Sequence, residues 1–250
     1  MTMPIPIRTT LATDRDDLLV QITDDGSRTL IRAGTEDSYH SGCGAVAESR
    51  HVYLQNSGVA DRLAAAESIR VLEVGLGTAM AMLMTLDRAL VHQASLHYVA
   101  VETDWISATT MTALNPQGWV ETPGLLQRYL DFRNGFPERP TDGLYRWNVD
   151  PERSVTVSVG DFRRWQPETR DEKFDAVYFD PFCPDSAPQL WTPECFSGLL
   201  PRVAPNGRLA TYSCSRRVRD ALTQAGWRVQ RVAGPPDGKR EVLIAVPAAS

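Results

Sequence analysis

The sequence predicts an α/β fold: a doubly wound, mostly parallel sheet with a terminal antiparallel strand and an N-terminal β-hairpin extension. Three observations favour this fold. A strand, a glycine turn and a helix start follow one another within residues 71–84. Apolar strand-like runs then alternate with helical segments, and two final runs flank a Gly- and Pro-rich turn. Ligands of such sheets bind at the carboxyl ends of the strands.

The N-terminal segment predicts a hairpin that precedes the main domain. Residues 18–23 and 27–32 are strand-like and flank Asp24-Asp25-Gly26, a strong turn signal. Residues 1–10 are expected to form a loose tail. We therefore divide the chain into an extension, residues 1–57, and an α/β domain, residues 58–250.

Hydrophobic periodicity and end signals predict the remaining elements in order. The predicted helices cover residues 45–56, 59–66, 79–92, 105–114, 125–132, 192–203 and 215–225. The predicted strands cover residues 71–74, 96–101, 154–159, 174–180, 208–212, 227–232 and 241–246. A polar loop, residues 36–42, is able to reach a ligand at the edge of the sheet, and it contains Tyr39.

The two glycines after the first parallel strand indicate a ligand-binding turn. Gly75 and Gly77 permit positive φ angles and close approach of a ligand to the main chain. Thr78 leads into a helix whose first N–H groups lack intrahelical partners. The pattern suits a nucleotide-like ligand, although a ligand-free turn has the same signature.

Two acidic residues distinguish between possible nucleotides. Glu102 ends the second parallel strand, where a carboxylate can accept both ribose hydroxyls, although an exposed strand end is the alternative. Glu73 precedes the glycines and would repel a pyrophosphate but attract an amino or sulfonium group. Ala79 stands where a dinucleotide site usually has a third glycine. We therefore favour S-adenosylmethionine (SAM) over NAD.

Two further strands deliver carboxylates to the same edge. Asp161 and Phe162 follow residues 154–159 and could hold an adenine, the acid taking the exocyclic amine and the ring covering one face. A helix cap is the alternative for Asp161. Asp180 enters the stiff loop Pro181-Phe182-Cys183-Pro184, which can hold a side chain in place. The alternative for Asp180 is a turn cap.

The charge distribution, the cysteine content and the apolar runs of the sequence limit the classes of function that we expect. The net charge is −5, but residues 200–250 hold nine Lys or Arg against three acids, a segment able to face an anionic partner such as nucleic acid. The four cysteines form no CxxC pair, so a zinc site or disulfide framework is not expected, which fits a reducing cytoplasm. No apolar run suffices to span a bilayer, and no export signal begins the chain.

The joint order of motifs resembles the SAM-dependent methyltransferase domain of the MnmC family, which completes the 5-methylaminomethyl group on the wobble uridine of certain tRNAs. The resemblance runs from about Leu19 to Val246. The motifs that carry it are Asp37-Ser38-Tyr39-His40-Ser41, Glu48-Ser49-Arg50-His51-Val52-Tyr53-Leu54, Glu73 to Thr78, Gly160-Asp161, Phe174 to Pro184, Leu190-Trp191-Thr192 and Gly238-Lys239-Arg240-Glu241.

This resemblance implies a Rossmann-like methyltransferase fold, SAM as the methyl donor and 5-aminomethyl(-2-thio)uridine as the acceptor. Asp180 would be the catalytic carboxylate. The implied cofactor-binding set is Tyr39, Glu73, Gly75, Gly77, Thr78, Glu102, Thr103, Asp161, Phe162 and Asp180. We expect Phe182 and Trp191 to stack on a base, and Lys239 and Arg240 to hold phosphates.

Departures from the family pattern leave alternatives open. The chain has Ala79 and Ala81 where the family usually has Gly and Asn, and Pro181 where it usually has Gly. It has no room for the oxidase half of two-domain members, so we expect a stand-alone form with tRNA as partner and a separate enzyme that supplies the amine. The alternatives are a SAM-dependent transferase acting on a small amine or peptide, and a non-catalytic SAM-binding module.

Overall fold

The computed structural model describes residues 8–35 and 37–248. It contains a small antiparallel sheet and a large mixed sheet that helices cover on both faces. The small sheet has the order β1-β2-β3, with strands Thr10–Ala12, Leu18–Ile22 and Arg28–Arg32. The predicted hairpin is confirmed: β2 and β3 pair antiparallel around Gly26, whose φ is 79°.

The large sheet has the order β10-β11-β9-β8-β4-β5-β7-β6. Its strands are β4 Ile69–Val74, β5 Leu96–Glu102, β6 Gly143–Asp150, β7 Arg153–Val159, β8 Phe174–Phe179, β9 Val203–Thr211, β10 Trp227–Ala233 and β11 Glu241–Pro247. The five strands from β9 to β7 are parallel, and β6, β10 and β11 extend the sheet through antiparallel pairs. The doubly wound α/β prediction and its terminal antiparallel strand are confirmed.

The order reverses at β4, which lies between β5 and β8. The chain therefore runs from β4 towards β5 and β7 on one side, and returns to continue through β8 and β9 on the other. Such a switch point leaves a crevice at the carboxyl ends of the central strands. Residues that follow β4, β5, β7 and β8 all meet at that crevice.

Helices cover the two faces of the sheet. They are α1 Ala45–Glu48, α2 Val59–Ala64, α3 Met80–Val91, α4 Ala108–Ala113, α5 Leu125–Asn134, α6 Pro193–Leu199 and α7 Arg216–Gln224. The alternation of side chains along β4 divides the core: Val71 packs with the cluster that contains α2 and α3, and Leu72 packs with the cluster that contains α6 and α7.

Several predicted boundaries were wrong. The tail prediction covered Thr10, which begins β1, while residues 1–7 lie outside the described residues. The strand β6 was missed, because it is largely exposed and buries only Trp147 and Val149. The helix predicted to reach Val203 ends at Leu199, and β9 runs through Pro205-Asn206-Gly207 with an irregular register against β8.

The helix predicted for residues 45–56 changes its winding part-way. After α1 the chain continues as a π-helical segment, Ser49–Gln55, which ends with a hydrogen bond from Asn56 N–H to His51 O. π-Helical turns of this kind concentrate at functional sites. None of the helices in the described ranges is long and apolar enough to cross a membrane. The division at residue 57 stays a prediction.

Candidate active site

A cavity of about 550 Å³ opens at the carboxyl ends of β4, β5, β7 and β8. Its volume is in the range of small-molecule sites. Eleven of the fourteen residues that the sequence singled out lie on its wall: Tyr39, Gly75, Gly77, Thr78, Glu102, Thr103, Asp161, Phe162, Asp180, Phe182 and Lys239. Glu73, Trp191 and Arg240 do not line it.

Both glycines of the turn are required by geometry. Gly75 has a φ of 90°, and a Cβ added there would lie 2.5 Å from the main-chain oxygen of Asp180. Gly77 has a φ of 53°, and its Cβ would lie 3.1 Å from Cδ1 of Tyr39. Any side chain would therefore be strained and would crowd the cavity wall. The turn keeps the main chain open to a ligand.

Glu102 closes the same turn from the neighbouring strand. Its Oε2 accepts a hydrogen bond from Gly77 N–H at 2.9 Å. Its Oε1 accepts from the N–H groups of Thr103 and Asp104 at 2.7 and 2.8 Å. These main-chain donors fix the carboxylate at the mouth of the turn, where its remaining lone pairs can accept hydroxyl hydrogens.

Thr78 carries an orphaned polar atom at the cavity. The residue is 1% exposed, and within the described residues its Oγ1 has no hydrogen-bond partner. A buried hydroxyl without a partner is costly, so a bound polar group is the natural partner for it. Together with the two glycines and Glu102, Thr78 fits an adenosyl amino acid better than an empty turn.

The charge of the wall selects among ligands. It holds two cationic side chains, Arg32 and Lys239, and six acidic side chains, Asp37, Glu48, Glu102, Asp104, Asp161 and Asp180, of which burial raises the pKa of Glu48 and Asp180. Burial lowers the pKa of His40 to about 4, so this residue adds no positive charge near neutral pH. Such a wall repels the pyrophosphate of a dinucleotide and attracts a sulfonium or an ammonium group.

Asp180 lies where β8 ends against the glycine turn. Its main-chain N–H donates to Val74 O at 2.9 Å, which anchors the residue beside Gly75. Burial, together with the charges of Glu48 and Glu102, raises the pKa of Asp180 well above its usual value. The hydroxyl of Tyr53 faces this carboxyl group, and its interaction with the carboxylate opposes the rise in the pKa of Asp180.

Glu73 lies beneath the cavity rather than on its wall. It is 1% exposed and accepts a hydrogen bond from the hydroxyl of Tyr98 at 2.9 Å. Side chains alternate along β4, so Glu73 faces the same side of the sheet as Val71, and Leu72 and Val74 face the other side. This alternation explains why Glu73 points into the core. Burial, followed by the charge of Asp180, raises the pKa of Glu73 well above its usual value.

Asp161 and Phe162 lie together at the end of β7. The Asp161 carboxylate caps a short 3₁₀ turn by accepting from Arg163 N–H at 2.9 Å, so the capping alternative is present in the structure. Hydrogen bonds from the Arg163 guanidinium lower the pKa of Asp161. The ring of Phe162 stacks on Trp165 at 6.0 Å and is half-buried at the cavity wall.

The loop after Asp180 is held by aromatic side chains. Trp191, 2% exposed, donates its indole N–H to Phe182 O at 2.8 Å, so it supports the loop rather than offering a stacking surface. The Tyr212 hydroxyl donates to Pro181 O at 3.0 Å. Phe182 itself is half-buried at the cavity, and the guanidinium of Arg32 lies 4.1 Å from its ring centre.

The two basic residues near the C-terminus have different surroundings. Lys239 lines the cavity: its Nζ lies 3.9 Å from Oε1 of Glu48 and 4.1 Å from the ring centre of Tyr212. Arg240 is exposed and does not reach the cavity. Lys239 and Arg240, which the sequence predicts to hold phosphates, therefore lie apart: Lys239 is on the cavity wall and Arg240 is outside it.

Sequence reasoning missed three residues of the site: Glu48, Tyr53 and Tyr212. Glu48 and Tyr53 come from α1 and the π-helical segment, and Tyr212 follows β9. The motif from Glu48 to Leu54 was a signal for the first two. A strand-end rule would have found Tyr212, since it follows a parallel strand as Glu102 and Asp180 do.

Comparisons with known proteins agree with this geometry. Residues 131–248 match a family described as S-adenosyl-L-methionine-dependent methyltransferase. The chain is 31% identical over 216 residues, 83% of its length, to a tRNA 5-methylaminomethyl-2-thiouridine biosynthesis bifunctional protein MnmC from Stutzerimonas stutzeri. It is also 31% identical over 231 residues, 91% of its length, to the protein of that name from Aromatoleum aromaticum.

The lengths of these proteins differ. The aligned part is 31% of the Stutzerimonas protein and 35% of the Aromatoleum protein, so the chain spans about a third of the curated relatives it matches. Among solved structures, MNMC2 from Aquifex aeolicus superposes with a TM-score of 0.71 and 25% identity. That match covers 95% of this chain and 74% of the other.

Proposed function

Because the chain belongs to the MnmC-like family of SAM-dependent methyltransferases, we propose that it methylates the amine of 5-aminomethyl(-2-thio)uridine at the tRNA wobble position. The observation that carries the proposal is the position of Asp180, a half-buried acid with a raised pKa on the wall of an acid-lined cavity that also holds Glu102. The acidic wall can bind the sulfonium of the methyl donor and, beside it, the ammonium group of the acceptor.

The donor side is built from the strand ends. Gly75, Gly77 and Thr78 would hold the methionine part, Glu102 the ribose hydroxyls and Asp161 the adenine amine. Tyr39, Thr103 and Phe162 would cover the remaining surfaces, and Glu73 would lie beneath the methionine part. SAM supplies an electrophilic methyl group on a sulfonium and leaves as the neutral thioether.

Asp180 is proposed as the general base. A primary amine is unreactive while protonated, so the acceptor ammonium must lose a proton before its nitrogen attacks the methyl carbon. A carboxylate with a raised pKa is a stronger base than one in water, and burial raises the pKa of Asp180. The anchoring of its main chain to Val74 fixes it beside the donor site, so the residue positions the amine as well as accepting its proton.

The acceptor would enter past Phe182 and Arg32. The ring and the guanidinium together form a flat, cationic edge on which a base can stack. Arg240 and the arginines after residue 200 would contact phosphates outside the acidic cavity, and Lys239 would act at its wall, so the affinity for tRNA would fall as salt rises. The proposal includes a cytoplasmic location and a separate enzyme that supplies the aminomethyl group.

Mass spectrometry of tRNA nucleosides tests this function. Total tRNA and an anticodon stem-loop carrying 5-aminomethyluridine are incubated with the protein and SAM. The expected result is a gain of one methyl group on the aminomethyl nucleoside alone. Methylation of a small amine or peptide with no change in tRNA would favour the transferase alternative, and SAM binding without any turnover would favour a binding module.

A further inference from the structure

Glu48 is a second carboxylate of the cavity that the donor-binding set and the general base do not use. It ends α1, is 5% exposed and yet lines the cavity that contains Asp180. Its Oε2 accepts from Ser41 N–H at 2.6 Å, which fixes the side chain. Its Oε1 lies 3.9 Å from Nζ of Lys239. One oxygen is therefore held by the main chain and the other is open to a cation.

The cation that faces Glu48 belongs to the chain itself. The ammonium of Lys239 lies between the Glu48 carboxylate and the face of the Tyr212 ring, 4.1 Å from the ring centre. An acid opposite an aromatic face is a common site for ammonium groups. The Lys239 side chain is 43% exposed, and its Nζ lies beyond hydrogen-bond distance of Oε1 of Glu48, so it can withdraw at little cost.

A buried hydroxyl connects this part of the wall to Asp180. Tyr53 is 1% exposed, and its hydroxyl interacts with the Asp180 carboxyl group. The residue comes from the π-helical segment that directly follows Glu48. Glu48, Asp180, Lys239 and Tyr212 all line the cavity, so an ammonium group bound at Glu48 would lie on the same wall as Asp180.

We propose that Glu48 binds the acceptor as a cation, and that Lys239 is the internal ammonium that pairs with Glu48 until the acceptor displaces it. The inference rests on the proposed function, because it takes the acceptor to be an amine. Binding to Glu48 would hold the ammonium beside Asp180, which then removes its proton. A neutral group of the same shape would leave the carboxylate paired with Lys239 and would gain less on binding.

Two nucleosides of similar shape test this inference without any turnover. Calorimetry with the protein saturated by S-adenosylhomocysteine compares the cationic 5-aminomethyluridine with the neutral 5-hydroxymethyluridine. Loss of a charge-assisted contact costs about tenfold or more in affinity, so the wild type should prefer the amine by about that factor. Glu48→Gln keeps an acceptor for Ser41 N–H and should erase the preference. Glu67→Gln, at an exposed glutamate, should leave the preference intact.

Lys239→Met provides a second test of the inference, and this test does not depend on the folding of the Glu48 variant. Removing the internal competitor should strengthen binding of the amine by a few-fold and leave the neutral nucleoside unchanged. The inference is overturned by equal or undetectable binding of the two nucleosides to the wild type, by a preference that survives Glu48→Gln, or by weaker amine binding in Lys239→Met. If tRNA is not methylated although the amine preference and its loss are observed, the proposed function fails and the cation site stands.

Discussion

Gly75 and Asp180 touch through their main chains. Asp180 N–H donates to Val74 O at 2.9 Å, and the Asp180 carbonyl oxygen lies 2.5 Å from the position that a Cβ on Gly75 would take. The turn proposed to receive the donor and the residue proposed to activate the acceptor are therefore one packed unit. A substitution at either residue is therefore expected to displace the other.

Gly75→Ala is predicted to damage both stability and activity. The substitution places a Cβ against the Asp180 main chain and forces an alanine to a φ of 90°, so we expect a loss of at least about 2 kcal/mol in the free energy of unfolding. SAM affinity and methyl transfer should fall together. Urea unfolding and calorimetry with SAM measure the two effects.

Gly198→Ala is the matched control for this change. Gly198 lies in α6, and a Cβ there meets no atom within 4 Å. The free energy of unfolding should rise by about 0.5–1 kcal/mol, since alanine favours helix more than glycine does. Equal stability and SAM affinity in Gly75→Ala and the wild type would contradict the close packing of the turn.

Thr78→Val is predicted to separate folding from donor binding. The Thr78 hydroxyl is buried without a partner among the described residues, so valine should leave the ligand-free protein as stable or up to about 1 kcal/mol more stable. SAM affinity should fall by about tenfold, because the hydroxyl is then missing from the complex. Thermal unfolding without ligand and calorimetry with SAM test the two halves.

Thr85→Val provides the comparison. The Thr85 hydroxyl is buried but donates to Ala81 O at 2.8 Å and lies 3.3 Å from the Tyr178 hydroxyl. Its loss should lower the free energy of unfolding by about 1 kcal/mol and leave SAM affinity unchanged. A Thr78→Val protein that binds SAM as the wild type does would show that the orphaned hydroxyl serves no ligand.

Local rules predicted the strand-end part of the site. Gly75 and Asp180 each follow a parallel strand and Glu102 ends one, and parallel strands bring their carboxyl ends to one edge regardless of the rest of the fold. Which face of the sheet a strand residue points to depends on its position in the alternation of side chains. In β4 this alternation points Glu73 into the core, where it accepts a hydrogen bond from Tyr98, and a sequence motif alone does not reveal that direction.

Other parts depend on tertiary contacts. Glu48 ends α1 on the cavity wall, and Tyr53 comes from the π-helical segment that follows, whose sequence fits an ordinary helix equally well. The edge strand β6 is mostly exposed and is held by its pairing with β7 rather than by its own apolar pattern. Both features depend on packing against residues that are distant in the sequence, and a short stretch of sequence does not contain those residues.

Glu73→Gln is predicted to change how stability depends on pH. The pKa of Glu73 is raised in the folded protein, so its contribution to stability is fully present below the unfolded-state pKa and is lost as pH rises through the folded-state pKa. Glutamine has no such loss and can still accept from the Tyr98 hydroxyl. The variant should therefore gain stability relative to the wild type as pH rises.

Urea unfolding of wild type and Glu73→Gln across the acid-to-neutral range measures this difference. Glu67→Gln, at an exposed glutamate, is the control and should follow the wild type at every pH. A constant difference between Glu73→Gln and the wild type would mean that Glu73 titrates alike in the folded and unfolded states. That result would contradict the burial of its carboxyl group as the cause of the raised pKa.

Asp180→Asn and Asp180→Ala are predicted to retain SAM binding and lose methyl transfer. Asparagine keeps the shape and the main-chain anchor to Val74 but cannot accept a proton, and removal of a general base costs about 10²–10⁴-fold in rate. Single-turnover methylation of the aminomethyl stem-loop and calorimetry with SAM separate chemistry from binding. Asp185→Asn, in the same loop with a side chain 93% exposed, should match the wild type in both assays. Full activity in Asp180→Asn would remove this residue from proton transfer.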